Sequence, residues 1–308
     1  MKFVTFTHGA GARLGVHRTA HEILDLTGVS GGDPAFESML ALIDHGPEAL
    51  KQAREWADPA ARDDAVIADI HRLDDVELLA PIPRPRKNVF CVGLNYVSHV
   101  EMNARALGLP IEIPEIPLFF SKPVTAVVGP GAPIVLDPRL TAKLDYEVEL
   151  TIVIGRGGTW ISESDAPDHI FGYTLANDVS ARDLQFRTSQ FLYGKGQDSY
   201  CPIGPAIGTP DEVGDLAGVT VELLVNGEVR QQESAGNMLF SPASVISWLS
   251  QGITLEPGDI ITLGTPGGCG YQLTPTAFLR DGDIVECRAT GIGSLANPVK
   301  ERETPSCV

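Results

Sequence analysis

Over the first 85 or so residues the apolar positions form two short strand-like runs, Phe3 to Thr7 and Arg13 to Val16. Helix-like stretches follow around Phe36 to Asp58 and Ala61 to Ile70. Ala80-Pro-Ile-Pro-Arg-Pro-Arg86 then places proline at alternate positions, and a residue without an N–H suits an extended connector better than a helix or a central strand. A boundary is expected near residue 85, with a small N-terminal domain over 1–85 and a larger one over 86–308.

Beyond the boundary the apolar runs are short, rich in β-branched residues and separated by Gly, Pro and Asp: Asn88 to Val92, Ala126 to Val128, Val148 to Ile154, Val219 to Val225, Asp259 to Leu263 and Asp283 to Cys287. Helix candidates interrupt them at Ser98 to Leu107 and Ser241 to Gln251. Strand and helix do not alternate regularly, so a doubly wound sheet is not expected. The expected class is α+β, rich in strand. No internal repeat or low-complexity tract is present.

One strand-like segment carries unusual polar positions. In Asp145-Tyr-Glu-Val-Glu-Leu a period of two puts Asp145, Glu147 and Glu149 on one face and Tyr146, Val148 and Leu150 on the other. Three carboxylates on one face repel each other, and the ordinary explanation is exposure to solvent. A second acidic position shifts the balance. Asp178 follows the apolar run Phe171-Gly-Tyr-Thr-Leu-Ala-Asn, and a carboxylate at the end of a buried strand needs a partner or a metal. Oxygen ligands suit hard cations, so magnesium, manganese or calcium is expected before zinc or copper.

Composition narrows the partners. Lys plus Arg total 23 against 40 Asp plus Glu, a formal charge of −17, which disfavours nucleic acid and anionic lipid surfaces. An anionic substrate needs a bound cation or a basic cluster to overcome that field. The five cysteines are widely spaced without a CxxC pair, and no segment approaches the apolar length of a membrane span or a signal peptide. Free thiols in a cytoplasmic protein are expected.

Three further constellations could carry chemistry. Gly194-Lys195-Gly-Gln-Asp198 reads as a polar loop in which Lys195 offers a cation, with Asp198 holding it. Gly264-Thr-Pro-Gly-Gly-Cys-Gly270 lacks both the phosphate-loop ending and the dinucleotide spacing. It reads as a tight turn whose glycines could let backbone N–H groups and the Thr265 hydroxyl approach a carboxylate. In Gly93-Leu-Asn-Tyr-Val-Ser-His99, Ser98 and Glu101 fit a helix capping box, which places His99 in the first turn.

Taken together, Gly93-Leu-Asn-Tyr with His99, Phe120-Ser-Lys-Pro123, Val128-Gly-Pro-Gly131, Asp145-Tyr-Glu-Val-Glu149, Asn177-Asp-Val-Ser-Ala-Arg-Asp183, Gly194-Lys195, Cys201-Pro-Ile-Gly-Pro205 and Gly264-Thr-Pro-Gly267 resemble the fumarylacetoacetate hydrolase family. The resemblance covers roughly residues 86 to 300. It implies a mixed β-roll catalytic domain, commonly dimeric, with Mg²⁺ or Mn²⁺ on Glu147, Glu149 and Asp178. It also implies substrate contacts from Arg182, Gln185, Lys195 and Thr265, and a general-base role for His99. Family hydrolases usually place a Glu three residues after the histidine. Here that position is Met102, and Glu101 lies about 200° rather than about 300° around a helix from His99. Hydrolysis of a 2,4-diketo acid is the first expectation. Isomerisation or decarboxylation of a 2-oxo or 2-hydroxymuconate-type acid is the alternative that Met102 favours, and a binding protein without turnover is the third.

Overall fold

In the computed structural model, which describes residues 1–9, 11–58, 60 and 68–303, the apolar runs become strands of a large mixed sheet. Its order is Ile70–Arg72, Glu22–Asp25, Gly11–His17, Lys2–His8, Cys201–Gly208, Ile170–Asn177, Val148–Ile154, Ile260–Thr262, Val89–Gly93 and Leu118–Lys122. Neighbours run antiparallel except Ile260–Thr262 against Val89–Gly93. Lys2 pairs with Gly208 and Phe3 with Ile207, so residues on both sides of position 85 share one sheet. A second sheet orders Glu228–Ser234, Thr220–Val225, Ile284–Ala289, Gly293–Glu301 and Ile134–Leu136. The expected β-rich α+β class is present.

The central strand Val148–Ile154 is buried along its whole length because both faces are covered. Val148, Leu150, Ile152 and Ile154 pack with Val221, Leu223 and Val285 of the second sheet. Val153 faces a separate core built with Phe36, Leu42 and Ile43 from the N-terminal segment. A strand covered on both sides reads as a continuous apolar run. Glu149 and Thr151 alternate onto the Val153 face, so Glu149 enters the interior at the end of that strand.

Several local expectations need correction. The acidic segment is not one strand: Leu144–Asp145 pairs with Ser180–Ala181, and the central strand starts only at Val148. Between them the Tyr146 N–H donates to the Asp145 carboxylate and the Glu147 N–H to Asn177 Oδ1, so side chains replace ladder partners. The helix expected over Phe36 to Asp58 is a turn at Pro34–Phe36 and a helix Met39–Ala57 that breaks at Gly46. Gly46 has φ 65°, ψ −142°, and Pro47 follows it without an N–H to continue the ladder. The stretch Ala61 to Ile70 lies mostly outside the described residues, and Ile70 itself opens a strand. The capping box is absent. Tyr96 precedes the helix Val97–Leu107 with no side-chain cap, because the Ser98 hydroxyl is engaged by Glu233 and by the Gly267 N–H. Among the described residues no helix is long and apolar enough to cross a membrane.

Candidate active site

Antiparallel pairing brings the acidic positions together. Val148 lies opposite Asn177 and Glu149 opposite Ala176, while the Asp178 N–H donates to the Glu147 carbonyl at 2.8 Å. Carboxylate oxygens of Glu147, Glu149 and Asp178 consequently fall within 4.8 Å of one another. All three are buried, as is Asp145, so the solvated-face explanation does not hold.

Three buried cations interleave with these acids. Lys195 Nζ donates to Glu147 Oε2 at 2.9 Å, Asp178 Oδ2 at 2.6 Å and Ser180 Oγ at 2.9 Å. Lys122, fully enclosed, pairs with the other oxygen of Asp178 and donates to the Val179 carbonyl. Arg182 bonds Asp145 Oδ2 at 2.8 Å and Glu147 Oε1 at 2.7 Å, with Gln185 Oε1 accepting from Nη1 at 2.9 Å. Its Nη2 is buried with no hydrogen-bond partner, a donor set for a ligand oxygen. The expected Lys195–Asp198 pair is wrong, since Asp198 is exposed while Lys195 ends a short helix, Leu192–Lys195, that turns its ammonium into the acidic cluster.

The electrostatics separate the three carboxylates. Burial pushes Glu147 up, but Lys195, Arg182 and His99 more than reverse this and hold it below the ordinary range. Burial pulls Lys195 down, and Asp178 and Glu147 more than restore it. Among the described residues no cation pairs directly with Glu149, and Lys195 offsets only part of its burial. Burial, then the charges of Asp178 and Glu147, push it well above the ordinary range, with the Gly264 N–H donating to it at 2.9 Å. A carboxylate raised in this way awaits a proton or a positive ion. An all-oxygen donor set with one uncompensated member fits a hard divalent cation, so Glu147, Glu149 and Asp178 could hold a divalent metal ion.

The glycine turn serves the chain's own acids. Besides the Gly264 bond to Glu149, the Gly270 and Tyr271 N–H groups donate to Asp145 at 2.7 and 3.0 Å. Gly264 needs its φ of +84°, and a Cβ there would lie 2.7 Å from Asn95 Cβ. Thr265 is buried and accepts from Gln231 Nε2 at 2.9 Å.

His99, also buried, sits in the first turn of its helix. Its Nδ1 faces Gln272 Nε2 at 3.1 Å and Cys269 Sγ at 3.8 Å. Burial, partly offset by Glu147, lowers the imidazole from 6.5 to about 4, so the ring is neutral at physiological pH. Glu101 points outward and is exposed, and Met102 packs against the Gly267 turn. Among the described residues no carboxylate therefore takes the place that family hydrolases give to Glu.

These groups line one small cavity of about 230 Å³, shared by His99, Glu147, Glu149, Arg182, Gln185, Lys195 and Thr265 and walled by Phe120, Phe186 and Phe191. Asp178 lies behind it. Sequence reasoning missed Lys122, although it stands in the quoted Phe120-Ser-Lys-Pro123 at the end of an apolar run. It also missed Asp145 as the anchor of Arg182, and Gln272, for which no local pattern gives a signal.

A family model described as fumarylacetoacetate (FAA) hydrolase C-terminal matches residues 88–300. The chain belongs to the fumarylacetoacetate hydrolase family. Among its relatives, oxaloacetate tautomerase YisK of Bacillus subtilis (strain 168) is 43% identical over 264 residues, covering 85% of this chain and 86% of that protein. The solved fumarylacetoacetate hydrolase from Exiguobacterium antarcticum superposes with a TM-score of 0.81 at 39% identity, covering 98% of this chain and 100% of the other. The solved 5-carboxymethyl-2-hydroxymuconate delta-isomerase from Mycobacterium smegmatis gives a TM-score of 0.74 at 31% identity, covering 99% and 100%. The fold is that of this family, whose members near this chain include tautomerases, isomerases and hydrolases.

Proposed function

We propose that the chain is a divalent-metal-dependent tautomerase that interconverts the enol and keto forms of a short 2-oxo acid of the oxaloacetate class. The observation that carries this is the environment of His99: Met102 stands where hydrolases of the family place a carboxylate, and Nδ1 meets an amide and a thiol instead. Without that carboxylate the ring lacks the partner that would stabilise it as it takes a proton from attacking water. The identity to YisK supports the same reading.

Tautomerisation shifts one proton between the carbon next to the 2-oxo group and the 2-oxo oxygen, and adds no water. Magnesium or manganese, held by Glu147, Glu149 and Asp178, supplies the Lewis acidity that stabilises enolate charge. Arg182, through its unpartnered Nη2, and Gln185 orient a substrate carboxylate. Lys195 places positive charge beside the oxygen that becomes anionic. Thr265 and His99 offer hydrogen bonds at the cavity wall, and Phe120, Phe186 and Phe191 keep the site poor in water.

Hydrolysis of a carbon–carbon bond in a 2,4-diketo acid is the second reading, favoured by the likeness to the Exiguobacterium hydrolase. Decay of the enol absorbance of oxaloacetate, measured with added manganese, should be fast while an acylpyruvate yields no pyruvate. Met102→Glu should leave tautomerisation flat or lower, since a new anion beside the substrate opposes enolate formation. Pyruvate released from acylpyruvates at a comparable rate by the wild type would select hydrolysis. We also read residues 1–85 as a small N-terminal domain and the active form as a homodimer. The family match beginning at residue 88 supports the first point. Four described cysteines, all free and buried, support a reducing compartment such as the cytoplasm.

A further inference from the structure

The amide of Gln272 is held in one orientation. Its Oε1 accepts from two backbone N–H groups, Gly268 at 2.9 Å and Cys269 at 3.1 Å. A flipped amide would set NH₂ against both donors, so Nε2 must face the other way. There it meets the His99 carbonyl at 3.3 Å, the Tyr271 hydroxyl at 3.2 Å and His99 Nδ1 at 3.1 Å. A carbonyl only accepts, which confirms Nε2 as a donor on this side. The second group near Nδ1 is the Cys269 sulfur, at 3.8 Å, whose single S–H also faces Glu147 Oε1 at 4.0 Å and which accepts from Gln231 Nε2 at 3.7 Å. The Gln272 amide N–H groups that face Nδ1 have no lone pair to offer it, so Nδ1 takes the accepting role and a neutral imidazole then carries its proton on Nε2.

We propose that Gln272 is a positioning residue that fixes His99 as the Nε2–H tautomer, so that His99 meets the substrate oxygen as a hydrogen-bond donor rather than as a base. This rests on the reading of His99 as a substrate-facing residue, and extends it by assigning the direction of the bond. A neutral imidazole donor stabilises a developing enolate oxygen while keeping its own proton, so the proton that the enol oxygen loses and the carbon gains is not the one His99 holds. The family's general-base role would need the opposite tautomer, with Nδ1–H given to a carboxylate and the Nε2 lone pair free.

Nitrogen-15 spectroscopy of the histidine rings, on the magnesium-loaded protein without substrate, tests the proposal apart from turnover. With His99 assigned by its Asn variant, wild type should show a protonated Nε2 and an unprotonated Nδ1 between pH 6 and pH 8. Gln272→Glu keeps the side-chain shape but puts an acceptor where the donor stood, and should move the proton to Nδ1. The same variant should lower kcat for oxaloacetate tautomerisation by about 10²-fold, the usual loss for one oxyanion donor, with KM nearly unchanged. Gln272→Met, neutral and unable to donate, should give a mixture of tautomers and an intermediate kcat. A wild-type ring protonated on Nδ1 overturns the proposal whether or not the substituted chains fold, as does an unchanged tautomer in Gln272→Glu. If the ring carries Nε2–H but oxaloacetate is not turned over, the assignment of Gln272 stands and the functional reading falls.

Discussion

Lys122→Met tests whether the acidic centre is balanced as its ion pairs imply. Four buried carboxylates, Asp145, Glu147, Glu149 and Asp178, face three buried cations, Lys122, Arg182 and Lys195. Methionine fills nearly the same volume as lysine, so the change removes charge with little loss of packing. Breaking a buried pair by deleting one partner costs roughly 3–5 kcal/mol. The lower end applies here, because Lys195 still holds Asp178 at 2.6 Å. At about 2.1 cal/mol/K of unfolding entropy per residue, a loss of about 3 kcal/mol lowers Tm by roughly 5 °C in a chain of 308 residues. Manganese should restore part of that loss, since a divalent cation offsets the added negative charge, and its affinity should rise because Asp178 gains freedom to bind it. Calorimetric melts in chelator and in manganese, with a manganese titration of both proteins, measure each term. An unchanged Tm in chelator, or a deficit that manganese deepens, would refute the charge balance.

Three other outcomes follow from the geometry. Because Glu149 is pushed well above the ordinary carboxylate range, manganese binding should expel protons as Glu149 gives up its own. The binding heat should then vary with the ionisation enthalpy of the buffer, and Glu149→Gln should abolish both the binding and the variation. Gly264→Ala places a Cβ 2.7 Å from Asn95 Cβ and 3.0 Å from the Val92 carbonyl at φ +84°. Urea unfolding should show a loss of roughly 2–4 kcal/mol, and wild-type stability would mean that the turn can relax. For His99, the folded value of about 4 lies below the ordinary 6.5, so its contribution to stability is fully present above pH 6.5 and is lost as pH falls toward 4. The pH–rate profile should accordingly show no inflection near 6.5 that His99→Asn removes.

The acids Asp145, Glu147 and Glu149 stand out in the sequence although the single strand expected to carry them is interrupted at Tyr146 and Glu147, and Asp178 stands out because it is a carboxylate at the end of an apolar strand. Those two signals were enough to bring the acids together once the strands pair, and the resemblance extended the reading to Arg182, Gln185, Lys195, Thr265 and His99. What stayed hidden depends on partners distant in sequence. The gap at Tyr146 and Glu147 arises partly because the Asn177 side chain takes the Glu147 N–H, and no property of residues 145–149 contains that. Asp198, three residues away, reads as a natural partner for Lys195, yet the ammonium reaches Glu147 and Asp178 through a helix turned inward.

Lys122 and Gln272 show the same limit from the opposite side. A lysine that ends an apolar run before proline reads as a strand end at the surface, and only the placement of Asp178 beside that end makes it a buried counter-ion. Gln272 follows a glycine turn with no periodicity to mark it, yet its two ends fix the ring of His99 and the turn at Gly268 and Cys269. Residue spacing carries information within an element, where geometry is regular. An active site is built where elements end, from groups whose separation along the chain says nothing of their separation in space. Residues that contact substrate have restricted chemistry and leave recurring patterns, whereas residues that orient them need only one acceptor or donor at the right place, and many side chains can supply that. The reaction class of this chain should therefore be decided less by its buried acids than by the neighbours of His99, and substitutions at Met102 and Gln272 are the ones that test it.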